Sequence, residues 1–377
     1  MTIPHAVYVH VPFCARKCAY CDFNAYAGAE ALIPAYVDAL VREVDASVAR
    51  ACAAPTVYFG GGTPTLLEVE QAGALLAAVR RGFAVDPDAE ITIEANPTSA
   101  DAARFARLRA LGFNRISIGV QAFDDGLLAA MDREHTGAEA ERAVTAARAE
   151  GFGNVSIDLM FGFPGQSLAM WAQTLGRALE LGTEHVSLYS LTVEPGTRFE
   201  RLHAGGKLTL PPEEDQVRMY ETAVETLTRA GLERYEVSSF ARPGYEARHN
   251  MTYWRNEPYL GFGAGAVSYS GGTRWTSEKH PARYIARVRS GAPLAVTSET
   301  LDHRASAGET AMLGLRMARG LDLIALRRRY GEPVTTELLR RLDGAVARGL
   351  VVLDATCARM TAAGFLLANE VAIDLLP

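Results

Sequence analysis

The sequence contains no long apolar run, no basic block and few cysteines. No stretch approaches the ~18 uninterrupted apolar residues of a membrane span, and the first thirty residues lack the apolar core and small-residue cleavage site of a secretion signal. These absences predict a cytoplasmic chain without a membrane span, for which peripheral contact is the most a membrane would offer. The formal charge of −6 over 377 residues excludes wholesale binding of nucleic acid as the expected role. Cysteines number five, an odd total that argues against a disulfide framework in a reducing compartment. Cys52 and Cys357 stand alone, the first at a helix end and the second in a strand-like segment, and each reads as a small buried hydrophobe. Cys14, Cys18 and Cys21 are crowded within eight positions, and crowded thiols in such a compartment point to metal.

What is present is globular: 49% hydrophobic and 22% charged residues, over a length that accommodates a large domain and a smaller one. Up to about residue 240, β-branched runs at 6–11, 56–60, 90–94, 115–120, 154–159 and 185–191 alternate with helical spacing. The helices are expected over 33–51, 66–82, 99–111, 137–150, 167–181 and 212–230. Gly82, Gly112, Gly151, Gly182 and Gly231 fall at their ends, where a left-handed cap is expected. Strands that read as near-continuous apolar runs, each followed by a helix, predict a parallel sheet covered by helices. Six units give the fold class as α/β, a partial (β/α)6 barrel, with an open doubly wound sheet as the alternative. Polar residues at the strand ends favour the barrel, because barrel enzymes gather their chemistry there. The organisation is read as a core over 1–240, an irregular barrel extension over 241–298, and a helix-rich, winged-helix-like module over 299–377.

The cysteines follow the first strand as Cys14-Ala-Arg-Lys-Cys18-Ala-Tyr-Cys21. Three thiolates at this spacing can meet on one [4Fe-4S] cluster and leave one iron open to a further ligand. Zinc is the competing reading, with His10 as a fourth ligand. Gly60-Gly61-Gly62-Thr63 follows the second strand and reads either as a close-approach loop for a ligand or as a tight turn. A phosphate loop is disfavoured, since its Lys-Ser/Thr ending is absent. Glu94, Gln121 and Asp158 lie at or near the ends of the next three strands, and Arg133 either joins them or pairs with Asp132 or Glu134. His249-Asn250-Met251-Thr252-Tyr253-Trp254 offers an imidazole for haem iron and rings for a porphyrin face, or else a structural histidine. Arg248 and Arg255 flank it and either pair with propionates or remain solvated.

Together, YVHVPFC with CxxxCxxC, YFGGGTPT, IEANP, SIGVQ, DREH, IDLMFGFPGQ and HNMTYW resemble the radical S-adenosylmethionine (SAM) superfamily. Within it the chain is similar to the oxygen-independent coproporphyrinogen oxidase family, and most similar to its haem-chaperone branch. The resemblance spans nearly the whole chain. It implies SAM bound through its amino and carboxylate groups to the open iron held by Cys14, Cys18 and Cys21. It also implies SAM contacts at Tyr8, Tyr20, Gly61, Gly62, Thr63, Glu94, Gln121, Arg133 and Asp158. By the same likeness His249, Asn250, Tyr253 and Trp254 are the haem candidates. An electron donor would reduce the cluster, and SAM cleavage would yield a 5′-deoxyadenosyl radical.

Two departures separate the chain from the oxidase branch. Asp22 and Phe23 follow Cys21 where that branch carries a further cysteine, and no extension precedes the first strand. The resemblance therefore implies haem binding and delivery to acceptor haemoproteins, with oxidative decarboxylation of coproporphyrinogen III as the alternative. A DNA-binding regulator built on the winged module is disfavoured, because the arginines between 327 and 348 are spread over two helices and interrupted by acids.

Overall fold

The computed structural model describes residues 4–47, 52–99 and 101–375. Among these, twelve strands form one sheet. Its centre is β1 (Ala6–Val11), β2 (Ala53–Gly61), β3 (Ala84–Ala95), β4 (Arg115–Gln121), β5 (Asn154–Phe161) and β6 (His185–Ser190). All five pairings between these consecutive strands are parallel. Helices α1 (Ile33–Ala46), α2 (Val69–Gly82), α3 (Ala102–Leu111), α4 (Gly137–Ala149), α5 (Leu168–Glu180) and α6 (Glu213–Arg229) alternate with these strands along the chain. Residues 48–51, at the end of the helix expected over 33–51, lie outside the described residues. So does residue 100, inside the helix expected over 99–111.

One expectation about the strands does not hold. They are not continuous apolar runs but alternate with period two. Val7, Val9 and Val11, Val57 and Phe59, Ile116, Ile118 and Val120, Val155, Ile157 and Leu159, and Val186 and Leu188 all join the main hydrophobic core. The intervening residues Tyr8, Tyr58, Glu94, Arg115, Ser117, Ser156, Asp158, His185 and Ser187 face the other way, into a polar interior. Helices cover only the outer face, so only that face must be apolar. The glycine expectation also needs one correction. Gly112, Gly151, Gly182 and Gly231 have positive φ, whereas Gly82 remains within α2.

The region read as irregular is ordered. Strands β7 (Glu233–Arg234) and β8 (Ser239–Ala241) extend the sheet antiparallel beyond β6. Strand β9 (Tyr259–Phe262) pairs parallel with β1 on the opposite side, and β10 (Val267–Ser270), β11 (Thr273–Ser277) and β12 (Ala295–Thr300) continue from it antiparallel. Between β8 and β9 lies a two-turn helix, α7 (Arg248–Trp254). It is too short for its periodicity to be legible, and tertiary contacts hold it. The Glu90 carboxylate accepts the first-turn N–H groups of Arg248 and His249 at 3.0 Å each, which satisfies donors left free at a helix start.

The C-terminal residues form α8 (His303–Leu315), α9 (Leu323–Tyr330), α10 (Glu332–Arg341) and a three-stranded sheet of 321–322, 351–353 and 357–360. They enclose a separate hydrophobic core that includes Leu315, Leu326, Leu342, Phe365 and Val371. Among the described residues no helix is long and apolar enough to cross a membrane.

Candidate cofactor site at the rim of the barrel

The carboxyl ends of β1–β5 bring the cysteine and glycine loops together with most of the polar residues singled out in the sequence. Cys14, Cys18 and Cys21 are all half-buried free thiols. The Thr63 hydroxyl donates toward Cys14 Sγ at 3.7 Å, and an Arg133 guanidinium N–H donates toward Cys18 Sγ at 3.5 Å. Donors aimed at sulfur stabilise thiolates and tune the potential of a cluster they carry. Burial pushes the Cys14 thiol up to about 11, and the Thr63 bond opposes that shift. Burial also raises Cys21.

The zinc reading fails on His10. Its Nδ1 is bonded to the Tyr8 hydroxyl at 2.9 Å and its Nε2 to the Asn24 carbonyl at 3.0 Å, so neither nitrogen is free to close a tetrahedron. Among the described residues, no three His, Cys, Asp or Glu side chains converge on a single ion.

The glycine loop is built by close approach. A Cβ on Gly61 would stand 2.5 Å from the His10 ring, and one on Gly62 would stand 2.5 Å from the Phe13 carbonyl. The Gly61 amide donates to Glu94 Oε2 at 3.1 Å and the Gly62 amide to the Val11 carbonyl at 2.8 Å. The loop is thus clamped over the start of the cysteine segment. Glu94 also accepts the Tyr58 hydroxyl at 2.7 Å. Although surrounded by protein, Glu94 keeps accessible surface, so it faces the barrel interior. Burial raises its pKa to about 7, the Tyr58 bond opposes this, and the nearby Asp158 adds to it. Asp158 accepts the Ser117 hydroxyl at 3.2 Å and is raised by burial to about 6.

Arg133 does not pair with its sequence neighbours. Asp132 pairs with Arg198 instead, while Arg133 reaches the Gly119 carbonyl at 2.6 Å as well as Cys18. Its Nε is buried without a hydrogen-bond partner. Gln121 is buried and adopts φ of 66°, in the left-handed region costly for a non-glycine residue. Tyr20 stands edge-on to Phe163, 6.3 Å between ring centres. Tyr8 lies deeper, 6.1 Å from the stacked Tyr58 ring.

The HNMTYW segment lies elsewhere. Thr56 and Arg115 lie near the amino ends of β2 and β4, with Glu90 paired to Thr56 in the middle of β3, and α7 packs there, across the floor of the barrel. His249 is 1% exposed. Its Nδ1 is bonded to the Thr56 hydroxyl at 2.9 Å and its Nε2 to the Tyr253 hydroxyl at 2.8 Å. Its ring stacks on Tyr58, with centres 5.0 Å apart. Burial, with a smaller contribution from the Arg115 charge, lowers its pKa to about 3. The structure therefore places His249 as a neutral, doubly bonded floor residue rather than an open imidazole, and Tyr253 is committed to it. Asn250 is half-buried. Trp254, at the end of α7, lines a cleft on the side of the C-terminal module.

Residues 8–178 match the radical SAM superfamily, and residues 301–367 match the HemN C-terminal domain. Over 97% of both chains, the sequence is 38% identical to the heme chaperone HemW of Bacillus subtilis. The chain is a member of the HemW family. The heme chaperone HemW of Mycobacterium tuberculosis is 40% identical over 99% of this chain and 95% of its own. Among solved structures, coproporphyrinogen III oxidase (HemN) from Escherichia coli, described as a radical SAM enzyme, superposes with a TM-score of 0.87. That match has 26% identity and covers 99% of this chain and 90% of the other. Membership implies a [4Fe-4S] cluster and SAM, and the three thiols with their sulfur-directed donors fit that demand.

Two contributors escaped the sequence reading. Tyr58 anchors Glu94, and its signal was the alternation in TVYFG, which turns Tyr58 inward between Val57 and Phe59. Arg115 is 2% exposed, with an unpartnered Nε, and its charge favours ionisation of Glu94 and Asp158. A cation opening a β-branched run gave no local sign that it would be enclosed.

Proposed function

We propose that this protein binds haem and delivers it to acceptor haemoproteins in the cytoplasm, and that Cys14, Cys18 and Cys21 hold a [4Fe-4S] cluster with SAM beside it. The observation that carries the reading is the near-full-length likeness to proteins named heme chaperone HemW. The absence of a further cysteine after Cys21 supports it.

When bound, cluster and SAM supply one-electron reductive chemistry, for which an electron donor is required. The chain's own residues bind and orient. The three thiols give up their protons on loading, against the burial that favours the protonated form at Cys14. Arg133 and Thr63 support the sulfurs. Because the Gly61 and Gly62 amides are already committed, this loop would meet an ammonium group through its carbonyls. Glu94 and Asp158 are carboxylates suited to hydroxyl and ammonium donors, with Gln121, Tyr8 and Tyr20 bounding the same space.

The test is anaerobic reconstitution of the cluster, addition of SAM, and separate supply of haemin and coproporphyrinogen III. Stable haem uptake and transfer without decarboxylation is expected. Conversion to protoporphyrinogen would replace this reading with the oxidase one, which the HemN-like fold accommodates.

A further inference from the structure

Below the barrel floor, a cleft of about 660 Å³ separates the end of α7 from the C-terminal module, within the ~300–1,000 Å³ typical of small-molecule sites. Trp254 and Ile324 supply apolar wall, and Ile324 is 60% exposed. Three guanidinium groups, Arg255, Arg319 and Arg329, border the same space, and Arg329 already donates to the Asn256 carbonyl at 3.1 Å. Arg255 and Arg319 are both exposed, and neither forms an ion pair or a side-chain hydrogen bond among the described residues. Desolvation lowers the pKa of Arg255, the nearby Arg319 charge lowers it further, and Glu257 opposes both. Like charges held together beside apolar surface suit an anion that brings its own apolar body. The cleft also contains the carboxylates of Glu257 and Asp322. That of Asp322 is engaged in capping α9 through the Ala325 amide at 2.9 Å.

A sulfur faces the space as well. Cys357 is half-buried and its thiol donates to the Arg319 carbonyl at 3.1 Å, a bond that iron ligation would replace, while the Met317 thioether in the same lining is buried. Cys357 was expected to be a buried hydrophobe, but it is an accessible thiol on a cleft wall.

We propose that this cleft is the cargo site. It would hold a flat tetrapyrrole against Trp254, with its propionates on Arg255 and Arg319 and its iron facing Cys357. Ligation would release the thiol proton to solvent. The inference rests on the haem reading above and moves the cargo from His249 to the far end of the same helix. It also has a chemical consequence. Cleft and cysteine loop lie at opposite ends of the barrel, so a propionate bound here is out of reach of radical chemistry at the rim. The chain would carry the tetrapyrrole without altering it.

The experiment is haemin titration of the full chain with its cluster in place, followed by absorbance. The wild type, the double variant Arg255→Glu/Arg319→Glu, Cys357→Ser and His249→Ala are compared, with haemin dimethyl ester as a second probe. Reversing both charges should weaken haemin binding by about tenfold or more, since charge-assisted bonds are lost. Blocking the propionates should weaken wild-type binding likewise. Cys357→Ser should shift the Soret band, with the cluster absorbance and melting temperature unchanged. Haemin affinity and spectrum unchanged in both cleft variants would overturn the site while leaving the haem reading intact. No haemin uptake by the wild type would remove the reading itself, and the site with it.

Discussion

At the scale of single residues, Glu94 joins structure to a measurable pH effect. Folding raises its pKa from 4.5 to about 7, so the folded state prefers the protonated carboxyl. Its contribution to stability is therefore complete below the ordinary carboxylate range and is lost as pH rises toward 7. A ligand that donates hydroxyl groups prefers the ionised form, with the opposite trend. SAM affinity should fall by about tenfold as pH drops from 8 to 6, and Glu94→Gln should bind weakly throughout and lack that step. Equilibrium binding of SAM to the cluster-loaded protein measures both. A wild-type affinity flat across this range would remove Glu94 from the SAM site. The thiols give a simpler expectation: Cys18→Ser should abolish the cluster absorbance, and full iron and sulfide content in that variant would refute the three-thiolate assignment.

At the scale of elements, α7 shows why a motif can be legible while its setting is not. HNMTYW stands out in the sequence, and a histidine among aromatic rings suggests a metal ligand. The fold instead sets α7 against Thr56 of β2 and Glu90 of β3, where Thr56 and Tyr253 take both imidazole nitrogens. Periodicity in seven residues cannot reveal a helix whose first-turn donors are satisfied by a carboxylate about 160 positions away. His249→Ala would leave two buried hydroxyls without partners and should cost ~2–4 kcal/mol of stability, read as a lowered melting temperature. Haem affinity should survive wherever the variant remains folded. An unchanged melting temperature with haem binding lost would return His249 to the role of ligand.

At the scale of the whole molecule, the protein has two poles joined by one barrel. Amide hydrogen exchange should separate them. SAM is expected to protect 60–65 and 119–133 while leaving 248–257 unaffected, and haemin is expected to protect 248–257 and 317–326 while leaving the rim unaffected. Protection at both poles by either ligand alone would contradict their independence.

The sequence by itself determined the alternation of strands and helices, the cysteine spacing, and the placement of Glu94, Gln121 and Asp158 at or near strand ends, because these depend on periodicity and local order. It also carried the inward face of each strand, in runs such as RISIGVQ and NVSIDL, where polar residues alternate with the apolar ones. Only the tertiary structure decided that His10 is spent on Tyr8 and Asn24, that Arg133 turns from its acidic neighbours to a sulfur, and that His249 closes a floor while Trp254 opens onto a cleft. These outcomes depend on which distant groups satisfy a buried donor or acceptor, and such pairings have no period along the chain.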